Sequence, residues 1–494
     1  MKSVAFHNLG CKVNGYETDV MQQKLLQSGF VVVPFDEKAD VYVVNTCTVT
    51  NIADRKSRQM LHRAKKRNPD ALVVAVGCYV ETDPDKVSLD PAIDLAIGNN
   101  KKGQIAELIL EWMKEHGKAK PASRTANSSA REDGCGNRAA DGEAQPPCDK
   151  TLGGRSMADL TQHLAYEEMT LTAPSHTRAY VKIQDGCNQF CSYCIIPYAR
   201  GRIRSRERAD VLAEVRALAR GGVREIVLTG IHVSSYGLDR GCSELLGLLE
   251  ELEQVEGLAR IRLSSLEPRI ITEEFAARLA ALSKLCPHFH LSLQSGCDET
   301  LRRMNRRYTT AEYAQSVERL RRVFDRPAIC TDIIVGFPGE TDEEFAQTLR
   351  FAEQIGFYEI HVFKYSVRKG TAAARMKPQV PEPVKAERSD RLLALTARQA
   401  AAYRAQFLGE REELLLEEEA EVGGVCCMTG HTKRYVLGAV RQTGALCRCE
   451  AVWDAERQGG SGGESGRLVP GALVRGIFTE AVAGTPYLRM EAEG

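Results

Sequence analysis

Two long stretches of the chain alternate short apolar strands with amphipathic helices, and this alternation restricts the fold more than any other feature. In residues 1–116, strand patterns such as DVYVVNT (40–46) and ALVVAVG (71–77) are separated by helix patterns such as NIADRKSRQMLHRAKK (51–66). Strand–helix alternation is typical of a parallel sheet with helices on its faces. The sequence therefore predicts an N-terminal α/β domain built on a doubly wound parallel sheet.

A second alternating series fills residues 173–409 and predicts a central barrel. Its six strand patterns run from RAYVKIQ (178–184) to YEIHVFKYS (358–366), and a long helix pattern follows them. Six repeats are too few for the closed eight-stranded barrel, so we expect a partial, open-sided (β/α)6 barrel. Its active site should lie at the C-terminal ends of the strands.

The rest of the chain differs in character from these two domains. Residues 117–172 are small, polar and rich in Gly, Pro, Ser and Ala, which predicts a flexible linker or insertion. Cys135 and Cys148 lie within it and are interpreted as incidental. Residues 410–494 contain short strand patterns, which predict a small all-β, OB-like module.

Composition indicates a globular chain with an uneven charge distribution. The 494 residues include 66 basic and 66 acidic side chains, and 43% are hydrophobic. No apolar run approaches the roughly 18 residues of a membrane span, and the N-terminus lacks the apolar core of a signal peptide. We therefore expect a cytoplasmic protein without a membrane partner. Three basic runs, at 55–67, 198–208 and 301–307, indicate a polyanionic partner.

Sixteen cysteines in such a chain indicate metal or redox chemistry rather than disulfides. Four single cysteines are interpreted as small buried hydrophobic residues: Cys242, Cys286, Cys297 and Cys330. Two close pairs near the C-terminus leave a zinc site open as an alternative there: Cys426 with Cys427, and Cys447 with Cys449.

The stretch DGCNQFCSYC (185–194) holds three cysteines, Cys187, Cys191 and Cys194, and no fourth follows nearby. It begins directly after the strand RAYVKIQ, at the mouth of the predicted barrel. Three thiolates leave one iron of a four-iron cluster open to another ligand, which is typical of a catalytic rather than an electron-carrying site. A zinc knuckle with one ligand missing is the alternative, and the barrel context argues against it.

A second set of three cysteines lies in the N-terminal domain. Cys11, Cys47 and Cys78 each follow directly after a predicted strand. The C-terminal ends of parallel strands lie along one edge of a sheet, so these thiols should converge in space. They again number three, which again leaves one iron of a cluster open.

The central motif, with Tyr193 before its last cysteine, resembles the signature of radical S-adenosylmethionine enzymes. The resemblance implies that the open iron chelates S-adenosylmethionine, that Tyr193 lies against its nucleoside, and that one electron cleaves it to a radical. Polar residues at the ends of the later strands are candidates for contacting this cofactor or the substrate: Thr229, Ser265, Glu267, Gln294 and Asp332. One departure is visible, because Leu228-Thr229-Gly230 stands where that family often has Gly-Gly-Glu.

The N-terminal trio, the barrel and the β module together resemble the methylthiotransferases. GHTKRYV (430–436) is similar to their RNA-binding TRAM domain. The resemblance implies catalysis by two [4Fe–4S] clusters, one on each cysteine trio. Cys187, Cys191 and Cys194 would generate the radical, and Cys11, Cys47 and Cys78 would carry the sulfur. It also implies S-adenosylmethionine, a tRNA anticodon stem-loop and an electron donor such as flavodoxin as partners, and a monomer.

Within that family, the run DGCNQFCSYCIIPYARGRIRSR (185–206) most resembles the branch acting on N6-threonylcarbamoyladenosine in tRNA. The implied reaction adds a methylthio group to C2 of this base, next to the anticodon. Isopentenyladenosine in tRNA and an aspartate of a ribosomal protein are the alternative substrates. Two other classes stay open: a radical enzyme with a purely electron-transferring second cluster, and an RNA-binding protein with structural zinc sites.

Overall fold

The computed structural model describes residues 1–116, 155–160, 162, 164–442 and 468–493. The chain forms two compact units. Unit 1 comprises Met1–Met169 and Tyr198–Arg202, and unit 2 comprises Thr170–Pro197 and Ile203–Gly494. The short segment Tyr198–Arg202 thus belongs to unit 1, whereas the sequence boundaries assigned it to the central domain.

Unit 1 is built on a six-stranded, all-parallel sheet, as predicted. Its strands are β1 (Ser3–Asn8), β2 (Val31–Val32), β3 (Val41–Thr46), β4 (Leu72–Gly77), β5 (Leu95–Ile97) and β6 (Arg155–Ser156). Their order across the sheet is β2-β1-β3-β4-β5-β6. Every residue of β3 and β4 is buried, which is why both read as continuous apolar runs.

Five helices cover this sheet: α1 (Lys12–Gln27), α2 (Asn51–Arg67), α3 (Cys78–Thr82), α4 (Pro84–Leu89) and α5 (Ile105–His116). The start of α2 is fixed by Thr50, whose side chain accepts a hydrogen bond from the Ala53 amide. Leu61 and Ala64 of α2 are buried in the core that includes β3 and β4, while most of its other residues face solvent. The helix therefore has one apolar and one charged side.

Unit 2 contains the predicted partial barrel of six parallel strands. They are β7 (Arg178–Asp185), β9 (Glu225–Gly230), β10 (Arg260–Leu263), β11 (His288–His290), β12 (Ala328–Val335) and β13 (Glu359–Lys364). The short β8 (Arg204–Ser205) pairs antiparallel with β7. The orders β10-β9-β7-β8 and β11-β12-β13 form two sheets, which a parallel bridge between Leu266 and Leu291 connects.

The barrel helices follow the strands in alternation. They are α6 (Ile196–Arg200), α7 (Arg208–Arg220), α8 (Leu245–Glu253), α9 (Glu273–Ala280), α10 (Asp298–Arg303), α11 (Thr310–Val323), α12 (Asp342–Ile355) and the long α13 (Glu382–Ala405). Thr309 with Glu312, and Thr341 with Glu344, form capping boxes that fix the starts of α11 and α12.

The C-terminal part of unit 2 is a closed five-stranded barrel, as the all-β prediction required. Its strands are β14 (Arg411–Val422), β15 (Val425–His431), β16 (Leu437–Arg441), β17 (Leu473–Ala481) and β18 (Leu488–Ala492). The strand patterns of the sequence miss β15 and β18. Cys427, of the pair Cys426 and Cys427, is buried in β15. The strand pattern ALCRCEAVW (445–453), with Cys447 and Cys449, lies outside the described residues, as do Cys135 and Cys148.

The prediction that the four single cysteines are buried holds for three of them. Cys286, Cys297 and Cys330 are buried, as predicted. The same prediction was wrong for Cys242, which is exposed because it lies in the loop before α8. None of the described helices is both long and apolar enough to span a membrane.

Candidate functional site

In unit 1, three thiols lie at the C-terminal edge of neighbouring strands. Cys11 is the N-cap of α1 after β1, Cys47 follows β3 directly, and Cys78 follows β4 as the first residue of α3. Because β1, β3 and β4 are adjacent in the sheet, their ends bring these cysteines, here called the N-terminal trio, to one place. The thiols of Cys11 and Cys78 are close enough to act electrostatically on Cys47.

Tight backbone packing holds the N-terminal trio. Gly77, which precedes Cys78, has φ of +97°, a conformation that favours glycine. A Cβ at this position would lie 2.8 Å from Asn45 Oδ1 and 3.3 Å from Lys102 Nζ. A Cβ on Gly10 would similarly lie 3.3 Å from the Cβ of Cys47. Both glycines therefore let backbone and thiols approach closely.

Asparagine side chains tie the strand ends together below the trio. Asn14 Nδ2 donates to the carbonyls of Leu9, at 3.1 Å, and Thr46, at 3.0 Å. Asn45 Nδ2 donates to the Asn14 carbonyl at 3.0 Å. These buried hydrogen bonds join the loops that carry Cys11 and Cys47, so the two thiols are held at fixed positions.

A buried charged network underlies the same edge. The Glu17 carboxylate lies 2.5 Å from Lys102 Nζ and 2.8 Å from Arg200 Nη1. These side chains are at most 2% exposed. Arg200 also donates to Asn14 Oδ1 at 2.7 Å. Two cations and one carboxylate thus lie under the thiols, and Arg200 opposes the rise in the pKa of Cys47.

The thiol of Cys47 holds its proton near neutral pH. Burial, with a further contribution from Cys78, raises the pKa of Cys47 to about 12. Metal binding needs thiolates, so loading a cluster would release the thiol protons. The negative charge of the thiolates would then lie close to the buried cations Lys102 and Arg200. Asn99 Nδ2 lies 3.6 Å from Cys78 Sγ, a further donor to a thiolate at this position.

In unit 2, Cys187, Cys191 and Cys194 form the central trio in the loop after β7. Backbone and side-chain contacts fix this loop against the end of α10. Ser192 donates through its hydroxyl to the Arg303 carbonyl at 2.8 Å and through its amide to the Met304 carbonyl at 3.0 Å. Asn305 Nδ2 donates to the Phe190 carbonyl at 3.0 Å.

A partly buried arginine lies directly against the central trio. Arg306 Nη1 is 3.3 Å from Cys191 Sγ, and its Nε donates to the Tyr308 hydroxyl at 3.0 Å. Burial raises the pKa of Cys187 to about 11 and that of Cys194 to about 12, and the Arg306 cation opposes both shifts. The guanidinium is therefore placed to stabilise thiolate character in this loop.

Two of the predicted cofactor contacts, Glu267 and Tyr193, lie at the central trio. Glu267 acts electrostatically on Cys187, so it lies near the trio, and it forms an ion pair with Arg269 at 2.6 Å. Tyr193 packs edge-on against Phe337, with ring centroids 6.4 Å apart. The aromatic ring is thus embedded in an apolar cluster beside the loop.

Three of the other predicted contacts lie on or after β9, β10 and β11. Thr229 is buried in β9, and Ser265 is exposed after β10. Gln294 has φ of +73°, and its backbone N–H donates to the Asp332 carbonyl at 2.8 Å. That positive φ, rare for a residue with a side chain, marks a constrained turn where β11 gives way to the loop.

Asp332 lies between two imidazoles on neighbouring strands. Its carboxylate is 3.2 Å from both His290 Nε2 and His361 Nδ1. Burial alone would raise the pKa of Asp332, but the two imidazoles hold it well below its usual range. Hydrogen bonds to Asp332 and Glu359 raise the pKa of His361 to about 9. In this arrangement the Asp332 carboxylate is the counter-ion of two imidazoles.

The spacing of donor atoms separates mononuclear from cluster sites. Three thiolates bound to one zinc ion at about 2.3 Å would lie about 3.8 Å apart. Among the described residues, the one set of three ligand-type side chains with all donor atoms within 4.8 Å of one another is His290, Asp332 and His361. Neither cysteine trio is so closely spaced, which suits a multi-iron cluster better than a single zinc ion.

His232, which sequence reasoning missed, lies in the loop after β9. Its amide donates to Gln184 Oε1 at 2.7 Å and its Nδ1 contacts Ser235 Oγ at 2.6 Å, while its buried Nε2 has no hydrogen-bond partner. Glu267 and Arg306 both act on it electrostatically. Burial lowers the pKa of His232 to about 4, so the ring is neutral near pH 7. A buried, unpartnered nitrogen beside the central trio fits a site that takes a polar ligand.

Two of the three basic runs are used inside the chain rather than exposed. Arg200, Arg204 and Arg206 are buried, and Arg206 pairs with Glu214 at 2.7 Å. In the run at 301–307, the Arg306 guanidinium contacts the Cys191 thiol. The interpretation of these two runs as a polyanion surface is therefore wrong for most of their arginines, whose burial depends on tertiary contacts that sequence alone does not reveal.

The motif GHTKRYV also packs against its own unit. His431 Nδ1 contacts Glu417 Oε1 at 2.7 Å, Lys433 Nζ donates to the Ser283 carbonyl at 2.8 Å, and Arg434 pairs with Glu412 at 2.9 Å. Arg260 and Arg262 of β10 donate to carbonyls of the same turn. The motif therefore joins the five-stranded barrel to the partial barrel.

Comparison with known proteins identifies the class and then the family. Residues 181–352 match the radical SAM superfamily and residues 3–98 match uncharacterized protein family UPF0004. The solved structures that resemble this chain include TsrM, a radical S-adenosylmethionine methyltransferase from Kitasatospora setae. It has a TM-score of 0.51 and 17% identity over 74% of this chain and 72% of that one, which shows the shared fold alone.

Curated relatives narrow the assignment. The chain is 39% identical to threonylcarbamoyladenosine tRNA methylthiotransferase of Bacillus subtilis, over 88% of this chain and 90% of that protein. The enzyme of the same name from Aquifex aeolicus is 37% identical, over 84% and 93%. A tRNA-2-methylthio-N(6)-dimethylallyladenosine synthase of Desulfitobacterium hafniense is 33% identical, over 88% and 91%. The chain belongs to the tRNA methylthiotransferase family of radical S-adenosylmethionine enzymes.

Family membership makes S-adenosylmethionine and [4Fe–4S] clusters the cofactors of this enzyme. The residues present fit both groups. The N-terminal trio offers three free thiols at the ends of β1, β3 and β4, and the central trio offers three in the loop after β7. Each trio has an arginine nearby, Arg200 or Arg306. The unpartnered Nε2 of His232 supplies a polar group for a small-molecule ligand beside the central trio.

Proposed function

We propose that this enzyme adds a methylthio group to C2 of N6-threonylcarbamoyladenosine, next to the anticodon of tRNA. The relatives of that name, at 39% and 37% identity, support this substrate. The observation that carries the proposal is the presence of two separate cysteine trios in one chain, each at the C-terminal ends of parallel strands. One site for radical generation and one for sulfur are what a methylthiotransferase needs.

We assign Cys187, Cys191 and Cys194 to the cluster that binds S-adenosylmethionine, and Cys11, Cys47 and Cys78 to the second cluster. When bound, these groups supply radical and sulfur chemistry for an aromatic C–H bond that acid–base catalysis cannot activate. The chain supplies charge and position. Arg306, 3.3 Å from Cys191 Sγ, offsets the negative charge of the central thiolates.

Among the predicted contacts to S-adenosylmethionine, Glu267 has the best support, because it lies near both Cys187 and His232. We add His232, whose neutral ring offers Nε2 to a polar ligand. Tyr193, Thr229, Ser265 and Gln294 stay predictions as cofactor or substrate contacts. Asp332 stays one too, with the difference that His290 and His361 already occupy its carboxylate.

Dimethylallyladenosine in tRNA is the second candidate substrate, supported by relatives at 33% identity. The proposed reaction needs an external one-electron donor such as flavodoxin, and an enzyme of tRNA would work in the cytoplasm. We also propose that the enzyme acts as a monomer, which size-exclusion chromatography of the iron-loaded protein tests.

Nucleoside mass spectrometry of tRNA tests the substrate. In a strain that lacks this gene, 2-methylthio-N6-threonylcarbamoyladenosine should disappear, and a plasmid copy should restore it. A copy carrying Cys78→Ala should fail to restore it, while Cys286→Ala, at a buried cysteine outside both trios, should succeed. Loss of the 2-methylthio dimethylallyl nucleoside instead would move the assignment to the second candidate.

A further inference from the structure

Helix α2 of unit 1 carries an unusual concentration of exposed cations. Six of its side chains are basic and solvent-exposed: Arg55, Lys56, Arg58, Arg63, Lys66 and Arg67. In the described part of the chain none of the six forms an ion pair with a carboxylate. Two other basic residues of the helix are paired, His62 with Asp90 and Lys65 with Asp94.

This concentration stands out against the rest of the charge distribution. The chain as a whole has equal numbers of basic and acidic residues. Its other two basic runs are largely buried or paired, and the basic residues of GHTKRYV contact their own unit. Compared with the other two basic runs and with GHTKRYV, α2 is therefore the segment of the described chain that keeps most of its cations available to a partner.

The stability of the helix does not account for these cations. The helix dipole favours cations in the last turn, where Lys66 and Arg67 lie, but offers little to Arg55, Lys56 and Arg58 in its first half. Like charges three or four residues apart, such as Arg63 and Arg67, destabilise a helix by about 0.2–0.5 kcal/mol per pair. A polyanion bound along this side would offset that repulsion.

Helix α2 begins beside the N-terminal trio, where a nucleic acid bound at that trio would pass. The helix begins at Asn51, four residues after Cys47, and Ser57 Oγ donates to the Cys47 carbonyl at 3.2 Å. From there it extends away from the sheet edge for 17 residues, about 26 Å. Its buried Leu61 and Ala64 face the sheet, so the cations lie on the opposite side. An RNA backbone leading away from a base at the N-terminal trio could follow this length.

We propose that the exposed cationic side of α2 binds the phosphate backbone of the RNA substrate, an inference that rests on the proposed function. Lysine and arginine on an exposed helix contact phosphates without reading sequence, so α2 contributes affinity and orientation. The C-terminal motif GHTKRYV, by contrast, has a structural role at the junction with the partial barrel.

Salt-dependent RNA binding by the iron-loaded enzyme tests this surface. The probe is a fluorescent anticodon stem-loop RNA, and anisotropy is measured over a series of KCl concentrations. The variant Arg55→Gln, Lys56→Gln, Arg58→Gln removes three α2 cations. The matched control removes three exposed cations elsewhere, as Lys114→Gln, Arg302→Gln, Arg322→Gln. Iron content near eight per chain checks that each protein is intact.

We expect the α2 variant to bind roughly tenfold or more weakly near 100 mM KCl. The slope of log K against log salt should also be shallower by about two to three, since each phosphate contact contributes about 0.7–1. The control should bind like the wild type. Wild-type affinity and slope in the α2 variant would overturn the inference and leave the proposed function standing. A wild-type enzyme that does not bind this RNA would overturn both.

Discussion

At the residue scale, Arg306 has the clearest functional position. Its partly buried guanidinium lies against the thiol of Cys191 and contacts the ring of Tyr308. Withdrawing a cation from water without a compensating anion is costly, and a negatively charged iron–sulfur cluster on the central trio would supply that anion. The residue lies in a basic run that we read from sequence as an RNA surface. The sequence shows the charge but not its burial.

Replacing Arg306 by Met should make the central cluster harder to reduce. Loss of a nearby positive charge destabilises the reduced, more negative cluster by roughly 1–2 kcal/mol, or about 40–90 mV for one electron. The midpoint potential is measured by redox titration with electron paramagnetic resonance, in a Cys78→Ala background that lacks the second cluster. Arg302→Met, at an exposed arginine of the same run, is the control. An unchanged potential in the Arg306 variant would refute the electrostatic role.

His232 makes a pH-dependent contribution to stability. Burial lowers its pKa from 6.5 to about 4 in the folded protein. Between these values the unfolded chain binds a proton that the folded protein does not. The contribution of neutral His232 to the free energy of unfolding is therefore fully present above pH 6.5 and is lost as the pH falls towards 4.

The wild type should lose about 2 kcal/mol more than His232→Gln when the pH falls from 7.5 to 5. Urea unfolding of the two proteins at both pH values measures this difference. Because every other titrating group is common to both, the comparison isolates His232. Equal losses in the two proteins would show that the ring titrates normally in the fold.

At the scale of elements, the turn between β15 and β16 joins two parts of unit 2. The ring of Tyr435 stacks between His288 and His431, with centroids 4.4 Å and 4.3 Å away. The guanidinium of Arg262 lies 4.9 Å from the same ring, and Tyr358 donates to the Tyr435 carbonyl at 3.1 Å. This stack anchors the five-stranded barrel on β10 and β11.

Tyr435→Ala should destabilise unit 2 by about 2–4 kcal/mol, because it removes two stacked contacts and a cation–π contact. Urea unfolding measures the loss, and Tyr435→Phe, which keeps the ring, should be much milder. The salt slope for stem-loop RNA should not change. A stable variant with a shallower salt slope would instead show that this motif binds RNA directly.

The elements also show why the two cysteine trios could be predicted and their surroundings could not. Each cysteine of the N-terminal trio follows an apolar strand, and parallel strands end at one edge, so local pattern determines the convergence. The partners of these thiols come from distant positions, such as Arg200 beneath Cys47 and Asn99 beside Cys78. Nothing in the local sequence of Arg200 or Asn99 indicates those contacts.

At the scale of the whole molecule, the sequence predicted the three domain types because periodicity and chain length determine them. It predicted the charge surface poorly. Most arginines in the runs at 198–208 and 301–307 are buried or paired within the chain, with Glu17, Glu214, Glu344 or Cys191 as partners. The exposed cations of α2, by contrast, form no ion pair with a carboxylate in the described part of the chain. All three runs are rich in basic residues, and burial and pairing made the difference.

The central claim is that one chain holds two four-iron clusters, one on each cysteine trio, and iron content tests it most directly. After anaerobic reconstitution with iron and sulfide, the wild type should hold about eight irons per chain. Cys78→Ala and Cys191→Ala should each hold about four, and Cys286→Ala about eight. A zinc-only wild type, or eight irons retained in Cys78→Ala, would contradict the account.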